Sequence, residues 1–283
     1  TNSAGFWTLA LGWTCGFLLV CLACFAVLCG LHPQPMIGKF LRRNWALKIT
    51  MLIHHIPISA LAFVASQTDP ATLELFECFG CSSAAHKMLR DPSKGPNNNR
   101  NPSFAAWALV PVTVGYMVAD LALLPLWNLS SKSLVETLMM CLHHAGSLLV
   151  WPLAIYYDYC ARYVLLMLCT EFTNIFLIAN WMLSATGRKA SPAYLISGLL
   201  FTMTFIVVRM IFALPQLIGL WRVQPWRASV MASAAPDDAQ SLPTLVALGP
   251  FMLIVPHVMN LFWGVQVIEG WLKLFIKPIK KGA

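Results

Sequence analysis

The most restrictive feature of this sequence is a succession of apolar runs, each near twenty residues long and nearly free of charge. A helix of about 20 residues, rising about 1.5 Å per residue, crosses a hydrocarbon core of about 30 Å. Backbone groups in that core find no water and must bond to one another, so runs of this length become helices. They lie at Phe6–Leu31, Ala46–Ser66, Phe104–Trp127, Leu134–Tyr156, Ala161–Leu183, Ala193–Leu220 and Thr244–Phe275. The expected fold is an all-α integral membrane protein with about seven spans. Of its 283 residues only 11% are charged, against about 25% in a soluble domain. No sizeable soluble domain is left over.

The net charge of +8 raises nucleic acid as a partner, but the basic residues sit in short loops and at the C-terminus, where lipid headgroups account for them. Nucleic acid is therefore set aside. If the spans alternate, Lys39, Arg42, Arg43, Lys132, Arg188, Lys189, Lys277, Lys280 and Lys281 share one side. The positive-inside bias makes that side cytosolic, with a lumenal N-terminus and a cytosolic C-terminus. The connection Gln67–Ser103 is then lumenal, with an interfacial helix expected over Ala71–Met88. The sequon Asn128-Leu129-Ser130 falls on the cytosolic side and is expected to be unmodified. Terminal Lys280-Lys281-Gly282-Ala283 reads either as a dilysine-like retrieval signal or as a headgroup anchor. The endoplasmic reticulum is the expected membrane, with an organelle inner membrane as the alternative for a subunit of a complex. Most of the nine cysteines lie in or beside apolar runs and read as small hydrophobes. Cys78 and Cys81 form a lone C-x-x-C, for which a local disulfide or free thiols fit better than zinc.

Ionisable groups inside the runs are costly there and count by default as site candidates. Counted from the cytosolic ends, His54 and His55 lie about 12–15 Å deep, Asp120 about 10 Å, and His143 and His144 about 14 Å. Glu171, Arg209 and His257 fall near mid-membrane by the same count, so several helices contribute to one polar layer. Structural readings stand beside the functional one. Arg209 with Glu171 or Asp120 makes an ion pair that fixes helix register, His257 is an interhelical hydrogen-bonder, and Asn174, Asn180 and Asn260 bridge helices. In the pair His143–His144, adjacent residues point about 100° apart, so one faces a cavity while the other contacts a neighbouring helix. A neutral imidazole oriented by Asp120 or Glu171 suits general base or nucleophilic work in acyl transfer. No i,i+4 histidine pair or H-E-x-x-H run supports a metal, and no permanently bound cofactor is expected.

Taken together, several residues carry a family resemblance. They are Trp45 and His54, Gly115-Tyr116 with Asp120, His143-His144, Glu171-Phe172-Thr173 with Asn174 and Trp181, Arg209, and Asn260 with Trp263. In order and spacing the chain resembles the TLC-domain family, shared by translocon-associated TRAM proteins, ceramide synthases and a ceroid-lipofuscinosis membrane protein. The resemblance runs from Phe40 to Lys277 and is closest to the small TLC-domain-containing proteins. It implies a first helix and linker over residues 1–38, a six-helix barrel with a polar cavity over 39–279, and a basic tail over 280–283. Ceramide synthases follow their paired histidines with a histidine-aspartate pair and a further aspartate on the next helix; here that place reads Cys169-Thr170-Glu171. The resemblance assigns acyl handling to His143 or His144 with Asp120 and Glu171 as helpers. The lipid-facing candidates are His54, Tyr116, Asn174, Arg209, His257 and Trp181. The expected function is lipid or acyl-chain binding in membrane lipid homeostasis. The alternatives are a lipid acyltransferase using acyl-CoA as co-substrate, and an accessory subunit with protein partners in the membrane.

Overall fold

The computed structural model describes residues 3–31, 39–68, 104–127, 134–156, 161–212 and 249–276, and every regular element among them is helical. Helix α1 spans Ser3–Leu31, α2 Lys39–Thr68, α3 Phe104–Trp127 and α4 Leu134–Tyr156. Then come α5 (Ala161–Cys169), α6 (Phe172–Ala185), α7 (Pro192–Thr204), a π-helical segment (Phe205–Ile211) and α8 (Gly249–Ile276). Five stretches are long and apolar enough to cross a membrane: Ala4–Gly30, Arg43–Ala65, Ala106–Leu123, Val164–Ala185 and Pro192–Ile211. Helix α4 adds a shorter apolar stretch, Thr137–Leu153. Helix α8 has the length, 28 residues, while His257, Asn260, Gln266 and Glu269 dilute its apolar character. The chain is thus a polytopic all-α membrane protein. The expected helix at 71–88, Cys78 and Cys81, the sequon at 128–130 and the basic tail lie outside the described residues.

Neighbouring helices pack in an order that closes on itself. Helix α2 lies on α3, α3 on α4, α4 on α8, α8 on the π-helical segment, α7 on α6, and α6 back on α2. Large apolar side chains such as Leu195, Leu199, Val258, Leu261 and Val265 are exposed on the outside, a surface that suits lipid and not water. Helix α1 stands outside the ring, against α2 and α3. Its buried stripe Phe6, Ala10, Thr14, Phe17 and Cys21 recurs every three or four residues, which keeps one face inward. The approach to α3 is close because Gly115 carries no side chain. A Cβ there would stand 2.6 Å from the Ala10 carbonyl oxygen, 2.6 Å from Trp13 Cβ and 2.9 Å from Thr14 N. Small residues let membrane helices meet in this way.

The run Ala161–Leu183, expected as one helix, is instead two half-helices joined at Thr170–Glu171. No proline or glycine breaks it. The backbone tightens to i→i−3 bonds, from Thr170 N–H to the Met167 carbonyl (3.0 Å) and from Glu171 N–H to Leu168 (3.2 Å). The hydroxyl of Thr170 donates to the Met167 carbonyl at 2.7 Å and that of Thr173 to the Thr170 carbonyl at 3.0 Å, a competition that threonine brings to helices. Helix α5 packs against α2, α3 and α4, and Val164 to Leu168 are all buried. A half-helix apolar on every side belongs inside the bundle. Helix α6 carries the span on between α2 and α7. It ends at Gly187, whose φ of 75° suits a residue without Cβ. Ser191 caps α7 by accepting the Tyr194 N–H at 3.2 Å, with Pro192 in the first turn. Asn180 pins the two helices by donating to the Tyr194 carbonyl (2.8 Å) and to Ser197 Oγ (3.1 Å), a bridge expected of it.

Candidate functional site

Helix α2 brings His54 and His55 to the level of the α5–α6 break. The His54 ring stacks on Tyr116 of α3, with centroids 4.0 Å apart and planes 9° from parallel. Phe17 of α1 meets both rings edge-on, at 5.8 Å from His54 and 5.7 Å from Tyr116. His55 Nδ1 lies 2.8 Å from Glu171 Oε2 and 3.2 Å from His54 Nδ1. With Glu171 ionised the carboxylate can only accept, so His55 Nδ1 carries a proton and His54 Nδ1 accepts. In that tautomer His54 Nε2 donates to Thr113 Oγ1 at 3.2 Å, and the Thr113 hydroxyl donates to the Leu109 carbonyl at 3.4 Å. His55 Nε2 is buried without a hydrogen-bond partner, and in a neutral His55 it is an unused acceptor.

Glu171 Oε2 also accepts from Asn174 Nδ2 at 2.8 Å, one turn along α6. Asn174 Oδ1 in turn accepts from Arg209 Nη2 at 3.3 Å. The ion pair expected between Arg209 and Glu171 is therefore relayed through an amide, because Asn174 occupies the space one turn after the carboxylate. Arg209 sits in the π-helical segment, where Phe212 N–H reaches back five residues to the Val207 carbonyl at 3.0 Å. Such widened turns often occur at functional sites. Its Nε donates to Thr173 Oγ1 at 2.7 Å, Nη2 to the Thr170 carbonyl at 3.1 Å, and Nη1 to Asn260 Oδ1 at 3.4 Å. Arginine thus faces the carbonyl end of α5, and Glu171 stands at the amide end of α6. Each charge has the sign that its helix terminus favours.

On α4 the paired histidines diverge as adjacent helical residues must. His144 Nδ1 lies 3.4 Å from Asp120 Oδ2, without the alignment of a hydrogen bond, and its ring centroid is 6.4 Å from that of Tyr116. His143 turns to α8, edge-on to Trp263 at 6.1 Å. Its Nδ1 is buried without a partner. Tyr116 therefore stands between two acid–imidazole pairs, Glu171 with His55 and Asp120 with His144. Among the described residues, no group of three or more His, Cys, Asp or Glu side chains is disposed to hold a metal ion.

The structure brings together His54, Tyr116, Asp120, Glu171, His143, His144, Asn174 and Arg209 of the expected set. Trp181 packs edge-on against Trp45 at 5.7 Å, about 15 Å along α6 from Glu171. His257 is buried on α8 with neither ring nitrogen bonded, one turn before the Asn260 that holds Arg209. Thr113 belongs to the site although no sequence signal marks it, and His55, placed in the polar layer by depth alone, is the imidazole that meets Glu171. The His54–His55 doublet was the available signal, since one of two adjacent histidines must turn away from Tyr116 and toward whatever lies about 100° around the helix.

A closed ring of helices around a buried histidine–carboxylate layer defines a polytopic membrane protein with a polar centre at bilayer depth. The family model of the TLC domain matches residues 44–269, and the chain belongs to that family. Comparison with curated proteins and with solved structures returns no significant match.

Proposed function

We propose that this TLC-domain protein binds a lipid inside the helix ring, acyl chain against apolar walls and polar group at the histidine layer, and acts in membrane lipid homeostasis. The observation that carries this reading is that two buried imidazole nitrogens of the layer, His55 Nε2 and His143 Nδ1, have no hydrogen-bond partner. An unmade hydrogen bond at a buried polar atom costs about 1–3 kcal/mol, and a ligand's polar group removes that cost. The membrane setting and the TLC match favour a lipid as that ligand.

A second reading, lipid acyl transfer, is favoured by the two acid–imidazole pairs. In it, an imidazole takes the proton from a lipid hydroxyl or amine as that group attacks the thioester carbon of an acyl-CoA. The new C–O or C–N bond forms, the C–S bond breaks, and the proton passes to the departing thiolate. Asp120 or Glu171 stabilises the imidazolium formed on the way.

The test is mass spectrometry of lipids that co-purify in detergent with the wild type and with the double variant His143→Ala/His144→Ala, each then incubated with acyl-CoA. The expected result is a depleted lipid complement in the variant, and loss of any acyl-CoA consumption seen with the wild type. An unchanged complement together with unchanged consumption would refute the histidine-centred reading.

A further inference from the structure

Lys48 is the remaining cation of α2 that lies below its basic first turns. It precedes His55 by seven residues, which is about two helical turns, about 10 Å of rise and about 20° of rotation. Lys48 and His55 therefore share one face of α2, the face that meets Glu171.

A lysine near the end of a membrane helix ordinarily bends back to the headgroups, helped by the tilt of Cα–Cβ bonds toward the helix N-terminus. Lys48 does the opposite. Its Nζ donates to Met51 Sδ at 3.4 Å, one turn further from the Lys39 end and closer to the histidines. A thioether is a weak acceptor and takes one of three ammonium protons. The ion pairs of this region are His55 with Glu171 and His144 with Asp120. Among the described residues no carboxylate lies within ion-pair distance of Lys48. The side chain is half-buried, and the acid whose charge it feels, Asp120, stands beyond ion-pair distance and beside His144, so the ammonium has no direct counter-ion among the described residues. A charge held this way inside a membrane helix marks a ligand position.

We infer that Lys48 forms an anion subsite on the inner face of α2, which receives the negatively charged oxygen head of a lipid, a carboxylate or a phosphate. The ammonium supplies two free donors to that head, and the layer formed by His55 and Glu171 lies beyond it along the same face. The inference rests on the lipid-binding reading above and adds the sign of the headgroup. An apolar substitute at Lys48 removes the charge without removing the stem that packs beside Met51.

The experiment is a binding titration in neutral detergent with three single-chain probes: oleate, oleoyl lysophosphatidate and oleyl alcohol. Wild type, Lys48→Met and Lys48→Arg are compared, with a thermal melt of each to establish folding. Lysophosphatidate and oleate separate a phosphate from a carboxylate as the preferred head, and preference for either supports the subsite. The expected result is a loss of about tenfold or more in affinity for the preferred anionic probe in Lys48→Met, the size of one charge-assisted hydrogen bond. Oleyl alcohol binding should be unchanged, and Lys48→Arg should restore anion binding. If the wild type binds all three probes alike and Lys48→Met alters none, the anion subsite is refuted while lipid binding stands. If the wild type binds none, lipid binding and the subsite fail together.

Discussion

The contact of α1 with α3 through Gly115 yields the sharpest stability prediction, for the substitution Gly115→Ala. The added methyl would stand 2.6 Å from both the Ala10 carbonyl oxygen and Trp13 Cβ. Neither is the far end of a flexible side chain, so α1 itself has to move. It must retreat by about 0.8 Å to turn a 2.6 Å approach into an ordinary 3.4 Å contact, and a gap of about 0.5–1 Å forfeits a quarter to a half of each dispersion contact on the stripe. Overpacking of this kind costs about 1–3 kcal/mol, equivalent to a fall of roughly 3–10 °C in Tm. The retreat also draws Phe17 away from Tyr116 and His54. Thermal unfolding in detergent, followed by tryptophan fluorescence, measures the fall. Gly16→Ala and Gly146→Ala serve as controls, since a Cβ at either meets nothing within 4 Å. Both controls should match or exceed the wild type, because alanine favours a helix interior over glycine by up to about 1 kcal/mol. A Gly115→Ala protein that melts with the controls would refute the close approach of α1 and α3.

Two further predictions concern the layer. Glu171→Gln keeps an oxygen able to accept from both His55 and Asn174, whereas Glu171→Leu removes both acceptors and leaves Arg209 without its counter-charge. The leucine variant should lose about 3–5 kcal/mol and melt well below the glutamine variant; equal melting of the two would show that these bonds contribute nothing. Arg209→Lys keeps the charge but cannot reach Thr173, Asn174, the Thr170 carbonyl and Asn260 at once. It should cost about 1–3 kcal/mol in the same assay, and a wild-type melting curve would contradict the fork geometry.

The spans were legible because apolar runs report bilayer thickness, and α3 and α4 begin and end where their runs do. The α5–α6 break was not, since its causes are two threonine hydroxyls and an arginine from a distant segment, none of which interrupts hydropathy. The inward stripe of α1 was hidden for another reason: lipid and protein interior are equally apolar, so no periodicity separates them. Depth placed the polar residues at one level, but azimuth decided their partners. His54 and His55 differ little in depth, yet one stacks on Tyr116 and the other bonds Glu171. Trp181 shares α6 with the site but lies about three turns away. The π-helical turn that aims Arg209 has no residue pattern of its own.

The buried half-helix α5 has a consequence for permeability. Val164 to Leu168 are buried among α2, α3 and α4, so beside the histidine layer the interior is packed with hydrocarbon side chains. A polar path from face to face would offer protons and ions a conductive route and dissipate the membrane's gradients. An apolar packing layer next to the polar one makes such a route costly, because a charge crossing it would find neither water nor a hydrogen-bond partner.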